Sequence, residues 1–163
     1  MWLAQTRSAA PAYDARMTSR TLRYSVGNEH NPSDPWGRSE LLIRADGRAE
    51  LEHHFARTGQ ARAWAGQVDA AALDELWAAL GHEGFPAVTP TPPLPADATV
   101  RRLTVEADGA AHQARLSLAH TLSQPGYAAV FDLLDAVIRQ LSGDAVAYPA
   151  KRGPVVHDAV AVR

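Results

Sequence analysis

Residues 83–109 read EGFPAVTPTPPLPADATVRRLTVEADG, and the role given to their proline-rich middle decides how many folding units the chain has. Such a run can be a linker between domains, a polyproline II peptide offered to a partner, or a loop inside one fold. Its flanks discriminate among these. Upstream, DAAALDELWAALG (69–81) reads as an amphipathic helix. Asp69 can cap the first turn, and Val68 before the cap can staple against Leu73. Leu73, Leu76, Trp77 and Leu80 fall at i, i+3, i+4 and i+7 and form one apolar stripe. Gly81 or Gly84 is expected to stop it.

Downstream, VRRLTVEADGAAHQARLSL (100–118) reads as a hairpin turning at Asp108-Gly109. TLSQPGYAAVFDLLDAVIRQLSG (121–143) reads as a second helix, with Pro125 in its first turn and Gly143 as its stop. Tyr127, Phe131, Leu134, Ile138 and Leu141 line its buried face. One hairpin and one helix are too little for an independent core. The proline run is therefore expected to be a loop within one domain, with Phe85 folding back to anchor its start.

The segments before the first helix supply more strands. TLRYSV (21–26) places Leu22, Tyr24 and Val26 on one face. GNEHNPSDPWGRS (27–39) is a loop by its Gly, Asn, Pro, Asp and Ser content. ELLIRADGRAELEHHFA (40–56) reads as a hairpin, and Asp46-Gly47 suggests a two-residue type I′ turn. Its return arm puts Ala49, Leu51, His53 and Phe55 on one face. QARAWAGQV (60–68) adds a strand with Ala61, Ala63 and Ala65 on one side and Trp64 on the other, taken as the outer side. The two hairpins share the pattern L-x-[IV]-x-A-D-G-x-A, which turn chemistry alone can generate.

The fold class expected is α+β: an antiparallel sheet built from two Asp-Gly hairpins plus extra strands, packed by two amphipathic helices. Residues 1–20 are expected to be a flexible N-terminal extension, with Met17 beginning a more regular opening. Residues 21–143 are expected to form a single domain. Residues 144–163 lack a helical stripe and read either as a tail or, through VVHDAVAV (155–162), as an added strand; the pattern leaves both open.

LWAALGHEGFP (76–86), a proline-containing loop, LTVEADGAAHQARLSL (103–118) and VFDLLDAVIRQL (130–141) follow one another in an order that resembles the emfourin-like family of small bacterial proteins. The likeness spans roughly residues 40–142 and is strongest over 73–142. It implies the hairpin–helix fold. Some members of that family inhibit thermolysin-type metalloproteases, so the resemblance also implies a protease-inhibitor-like role. Its motifs are fold-determining hydrophobic residues and assign no functional residue here.

Composition narrows the remaining classes. Hydrophobic residues make up 46% of the 163, enough for a core, and the net charge of −2 offers no concentrated basic surface for nucleic acid. There is no cysteine, which removes thiol nucleophiles and thiolate metal sites and fits a cytoplasmic location. No apolar run approaches the roughly 20 residues of a membrane span. The seven histidines (30, 53, 54, 82, 112, 120 and 157) show no HExxH and no helical H-x3-H pair. His53 and His54 are adjacent in a strand and point to opposite faces. No G-x-S-x-G, P-loop or G-x-G-x-x-G occurs, and Glu50/Glu52 read as a solvated strand face. No metal and no cofactor is expected.

The segment most like a binding element is the loop 27–39. Trp36 lies between Pro35 and Gly37, and it can either anchor a partner, tryptophan being a leading hot-spot residue at protein interfaces, or fold back to cover the sheet edge. His30, Asp34 and Arg38 flank it, and Trp64 is expected to join it on an outer face. The reading is a non-enzymatic soluble module for a protein partner, binding neither nucleic acid nor membrane. The alternatives are a small-ligand or metal-binding domain using the histidines, and an enzyme whose site is nonlocal.

Overall fold

The computed structural model describes residues 20–28, 31, 34–82, 93–94, 98–107, 109–117, 121, 125–146 and 156–162. In chain order the elements are β1 (Thr21–Asn28), β2 (Arg38–Arg44), β3 (Arg48–Phe55), β4 (Gln60–Val68), α1 (Ala70–His82), β5 (Thr99–Ala107), β6 (Ala110–Ser117), α2 (Pro125–Leu141) and β7 (Val156–Ala161). The strands form one antiparallel sheet in the order β6-β5-β1-β2-β3-β4-β7. The architecture is α+β, as the patterning implies.

Because side chains alternate along a strand, register alone aligns the core. Ala114, Leu103, Tyr24, Leu41, Leu51 and Trp64 are successive partners across six strands, and all six are buried. Leu22, Ile43, Ala49 and Val105 belong to the same cluster in a neighbouring row. Leu73, Leu76 and Leu80 of α1 and Val130, Phe131, Leu134, Ile138 and Leu141 of α2 complete that cluster. Burying each of these aliphatic or aromatic side chains is worth roughly 1.5–3 kcal/mol.

Asp69 caps α1, accepting the Ala71 N–H on Oδ1 at 2.9 Å. The helix runs through Gly81 to His82, past the first stop expected. After α2 the N–H of Asp144 bonds to the Arg139 carbonyl at 2.9 Å, and that of Gly143 to Gln140 at 3.2 Å, the paired bonds of a Schellman stop. α2 enters from β6 at one edge and the chain returns as β7 at the other. Its 17 residues span about 25 Å, close to the roughly 29 Å width of seven strands.

Three expectations need correction or completion. The β2–β3 turn is not type I′. Ile43 pairs with Ala49, the Gly47 N–H bonds to the Arg44 carbonyl at 2.9 Å, and only Gly47 has positive φ (+82°). This is a three-residue connection with a left-handed third residue. A side chain at Gly47 would lie 2.8 Å from the Val68 carbonyl, because the end of β4 packs on this turn. In the second hairpin Ala107 pairs with Ala110, so the same Ala-Asp-Gly sequence makes a shorter connection there; Asp108 itself lies outside the described residues. Trp64 is not on the outer face: it is 6% exposed, opposite Leu51 and inside the core. The C-terminal segment forms β7, which pairs with β4 across an irregularity between Ala65 and Gln67. The expectation for Phe85, most of the proline run and residues 1–19 falls outside the described residues. No helix among the described residues is long and apolar enough to cross a membrane.

Candidate functional site

The β1–β2 connection returns to the end of the sheet next to the β3–β4 turn. Its described turn is Asp34-Pro35-Trp36-Gly37. The Gly37 N–H donates to the Asp34 carbonyl at 3.0 Å, and the Trp36 N–H donates to Asp34 Oδ1 at 2.9 Å. Pro35 suits the second position of such a turn, and Asp34 supplies the side-chain acceptor that stabilises its start. Asp34 is buried, and its N–H bonds to the Asn31 carbonyl at 3.1 Å. Asn28 Oδ1 in turn accepts the Asn31 N–H at 2.8 Å.

Gly37 closes the turn at φ +68°. A Cβ there would stand 2.2 Å from the His54 carbonyl and 2.9 Å from His53 Nε2, so only glycine fits. The consequence is that Trp36 is held at the tip, 63% exposed. It does not fold back over the sheet edge.

Beneath the turn, Ser39 Oγ and His53 Nδ1 are hydrogen-bonded at 2.7 Å, both residues buried. His53 meets the Phe55 ring edge-on at 4.4 Å between centroids. Burial, and secondarily the neighbouring His54, lowers the His53 pKa to about 4. The ring is therefore neutral near pH 7. Ser39 is fully buried, so this Ser–His pair faces no substrate and acts as a strut under the Trp36 turn.

Beside the turn lies an open cavity of ≈ 400 Å3, lined by Asn28, Asn31, Arg38, Glu40, His54 and Phe55 among others. Arg38 and Glu40 form an ion pair of 2.8 Å on its wall. Arg62 lies over the Phe55 ring at 5.6 Å. Three of the sequence candidates thus meet here: Trp36 at the tip, Asp34 as its internal brace and Arg38 on the cavity wall. His30 lies outside the described residues. Trp64 is on the opposite side of the sheet, among the helices, and leaves the candidate surface.

Among the described residues the histidines do not converge. His53 is buried, while His54 is exposed and 3.2 Å from Glu52. Among the described residues no three His, Asp or Glu lie close enough to hold a metal ion. His120 is outside the described residues, as are the side chains of His82 and His157.

One constellation escaped the sequence reading. Tyr24 Oη donates to Asp135 Oδ1 at 2.7 Å, Arg101 Nε donates to Tyr24 Oη at 3.0 Å, and Arg101 Nη2 donates to Asp135 Oδ2 at 2.5 Å. All three residues are buried, and they tie β1, β5 and α2 together. Arg101 also lies over the Phe131 ring at 5.6 Å, and that ring stacks on Tyr24. Burial pushes the Asp135 carboxyl above its ordinary range, and the Arg101 charge and Tyr24 hydroxyl oppose that rise. The signal was a charge on each of two apolar patterns. Asp135 follows Leu134 on the buried side of α2, and Arg101 alternates with Leu103 and Val105. With no opening to solvent, this triad is a structural tie between sheet and helix. The chain matches no protein-family model and no curated protein.

Proposed function

We propose that the protein is a non-enzymatic binding module that engages a protein partner through Trp36 and the cavity beside it. The carrying observation is Trp36 itself: a large aromatic side chain, 63% exposed, on a turn fixed from three directions by Asp34, Gly37 and the His53 strut. An exposed aromatic on a rigid mount loses little entropy on binding and matches the anchor residues of interfaces. The lack of cysteine fits action in the cytoplasm. The resemblance over residues 40–142 gives the proposal its most specific form, inhibition of a thermolysin-type metalloprotease.

Two measurements test this. Trp36→Ala, folded by circular dichroism, should lose at least one partner that the wild-type chain captures and quantitative mass spectrometry identifies. An identical captured set would refute the site. Titrating the protein into a thermolysin-type protease should give stoichiometric inhibition, and full protease activity at molar excess would remove the inhibitor form alone.

A further inference from the structure

Among the described residues three large apolar side chains are exposed: Trp36, Val160 and Val162. The turn beneath Trp36 accounts for the first. The other two belong to the C-terminal stretch of β7, the edge strand beyond β4. Asp158, Ala159 and Ala161 are exposed as well, so no residue from Asp158 to Val162 is buried. Pairing with β4 joins this stretch to the sheet.

Register says which groups the free edge offers. Ala161 partners Trp64 and Val160 partners Ala65, while the Val162 N–H donates to the Ala63 carbonyl at 2.8 Å. Backbone groups alternate in direction along an antiparallel strand. Val160 and Val162 therefore direct theirs at β4, and the N–H and C=O of Ala161 point away from it, with no partner among the described residues. Ala161 shares the helix-covered face with Trp64, and the two valines stand on the other face. Upstream, Asp158 and Ala159 together oppose Gly66, a β-bulge with Asp158 at φ +51°. A bulge bends its strand, so the regular part of the free edge is the short stretch after it. Residues 159–162 contain no charge and no proline, two of the devices that protect sheet edges.

We propose that this edge pairs with the same edge of a second copy of the chain, antiparallel about a two-fold axis at Ala161. The axis follows from the backbone. Ala161 offers one N–H and one C=O outward, and antiparallel residues that face each other in this way exchange both bonds. Setting Ala161 against its own copy places Val160 of each chain opposite Val162 of the other. These are non-hydrogen-bonded pairs, in which side chains approach most closely, and β-branched residues suit them. The two exposed valines thus cover each other, and the contact is self-complementary and closed, as a two-fold dimer requires. Pairing β7 with β6 of the next copy would instead set the valines beside a strand carrying Gln113 and Arg115 and leave an open row of copies. The contact is short, so the dimer is weak and concentration-dependent. It does not involve Trp36.

Sedimentation equilibrium of the full chain between about 10 μM and about 1 mM should show monomer and dimer in exchange. Ala161→Pro removes the outward N–H on the side where an edge strand accepts proline, and Val160→Lys puts a charge into the valine pair. Each should weaken dimerisation at least about tenfold; Val160→Lys decides if the proline variant does not fold. The absence of native cysteine lets cross-linking read the register. Val160→Cys and Val162→Cys chains, mixed and oxidised, should join to each other in preference to themselves. Directly opposed residues of this kind have Cα atoms about 4.5 Å apart, within disulfide reach, whereas like positions lie a diagonal of about 7–8 Å apart. A monomer throughout the concentration range, a dimer indifferent to the edge substitutions, or cross-linking with no preference for the mixed pair overturns the proposal.

Discussion

Removing either charge from the Tyr24–Arg101–Asp135 triad should destabilise the fold, but only one of the two losses should depend on pH. Arg101 and Asp135 are 5% and 0% exposed, so neither charge can recover its hydration when the other is lost. Breaking a buried ion pair typically costs about 3–5 kcal/mol. Asp135→Asn strands the guanidinium, which cannot shed its proton, so this cost should be nearly independent of pH. Arg101→Met strands the carboxyl, which has an escape. Protonating an ordinary carboxyl at pH 7 costs about 4 kcal/mol, which caps the penalty.

Burial already raises this carboxyl, and removing Arg101 takes away the charge opposing that rise. A folded-state pKa above the unfolded value means that the native state binds more protons, so stability grows as pH falls. The cost of Arg101→Met relative to wild type should therefore shrink by roughly 2 kcal/mol between about pH 7 and pH 5. Arg101→Met/Asp135→Leu should cost at least about 2 kcal/mol less than the two single losses combined. Urea melts of the four proteins at both pH values provide the measurement. An Asp135→Asn cost under about 1 kcal/mol, or an Arg101→Met cost flat with pH, would refute the account of a desolvated pair.

Trp36 and Trp64, which have opposite placements, should separate cleanly. Trp64→Ala should cost about 3–5 kcal/mol in chemical denaturation, while Trp36→Ala should change stability by less than about 0.5 kcal/mol. Gly37→Ala should lose roughly 2 kcal/mol or more, since it adds a positive-φ penalty to contacts with the His54 carbonyl and His53 ring; an unchanged melt would contradict the tight turn. His53 has a folded pKa of about 4 against an ordinary 6.5. The unfolded chain therefore takes up the proton first, and roughly 2–3 kcal/mol of stability present above pH 6.5 should be lost as pH falls towards 4. His53→Gln should flatten that part of the pH profile, and a slope unchanged by the substitution would place the acid sensitivity elsewhere.

The parts of this fold legible in the sequence are those governed by local period. Leu22-Tyr24-Val26, Leu41-Ile43 and the stripe of α2 from Tyr127 to Leu141 all face the core where alternation and helical spacing put them. Features that depend on pairing between distant segments were not legible. Trp64 alternates with Ala61, Ala63 and Ala65, and strand period alone does not say which set faces inward. Its true side follows from its register with Leu51, and burying one indole removes far more apolar surface from water than burying alanines. Arg101 and Asp135 each broke an apolar pattern visibly, yet only the crossing of α2 over β5 shows that they answer each other. The shared Ala-Asp-Gly motif gave two connection lengths, because contact with the end of β4 decides the first. The Trp36 turn was partly legible: Asp34, Pro35 and Gly37 announce a turn, but the clash that fixes its direction comes from His53 and His54.

The place of β1 between β2 and β5 has a consequence in time. β2, β3 and β4 follow one another through short turns and can pair as soon as they exist, with β1 joining through the neighbouring loop. The second edge of β1 must wait for β5, whose partner contacts, such as Tyr24 with Leu103, close a far longer loop. The four-strand meander is therefore expected to form first and to expose the β1 edge until β5 and β6 arrive. Pulsed hydrogen exchange should show β2–β4 amides protected ahead of those in β5 and β6; simultaneous protection would exclude this order. During that interval the unpaired β1 is the segment most open to pairing with another chain.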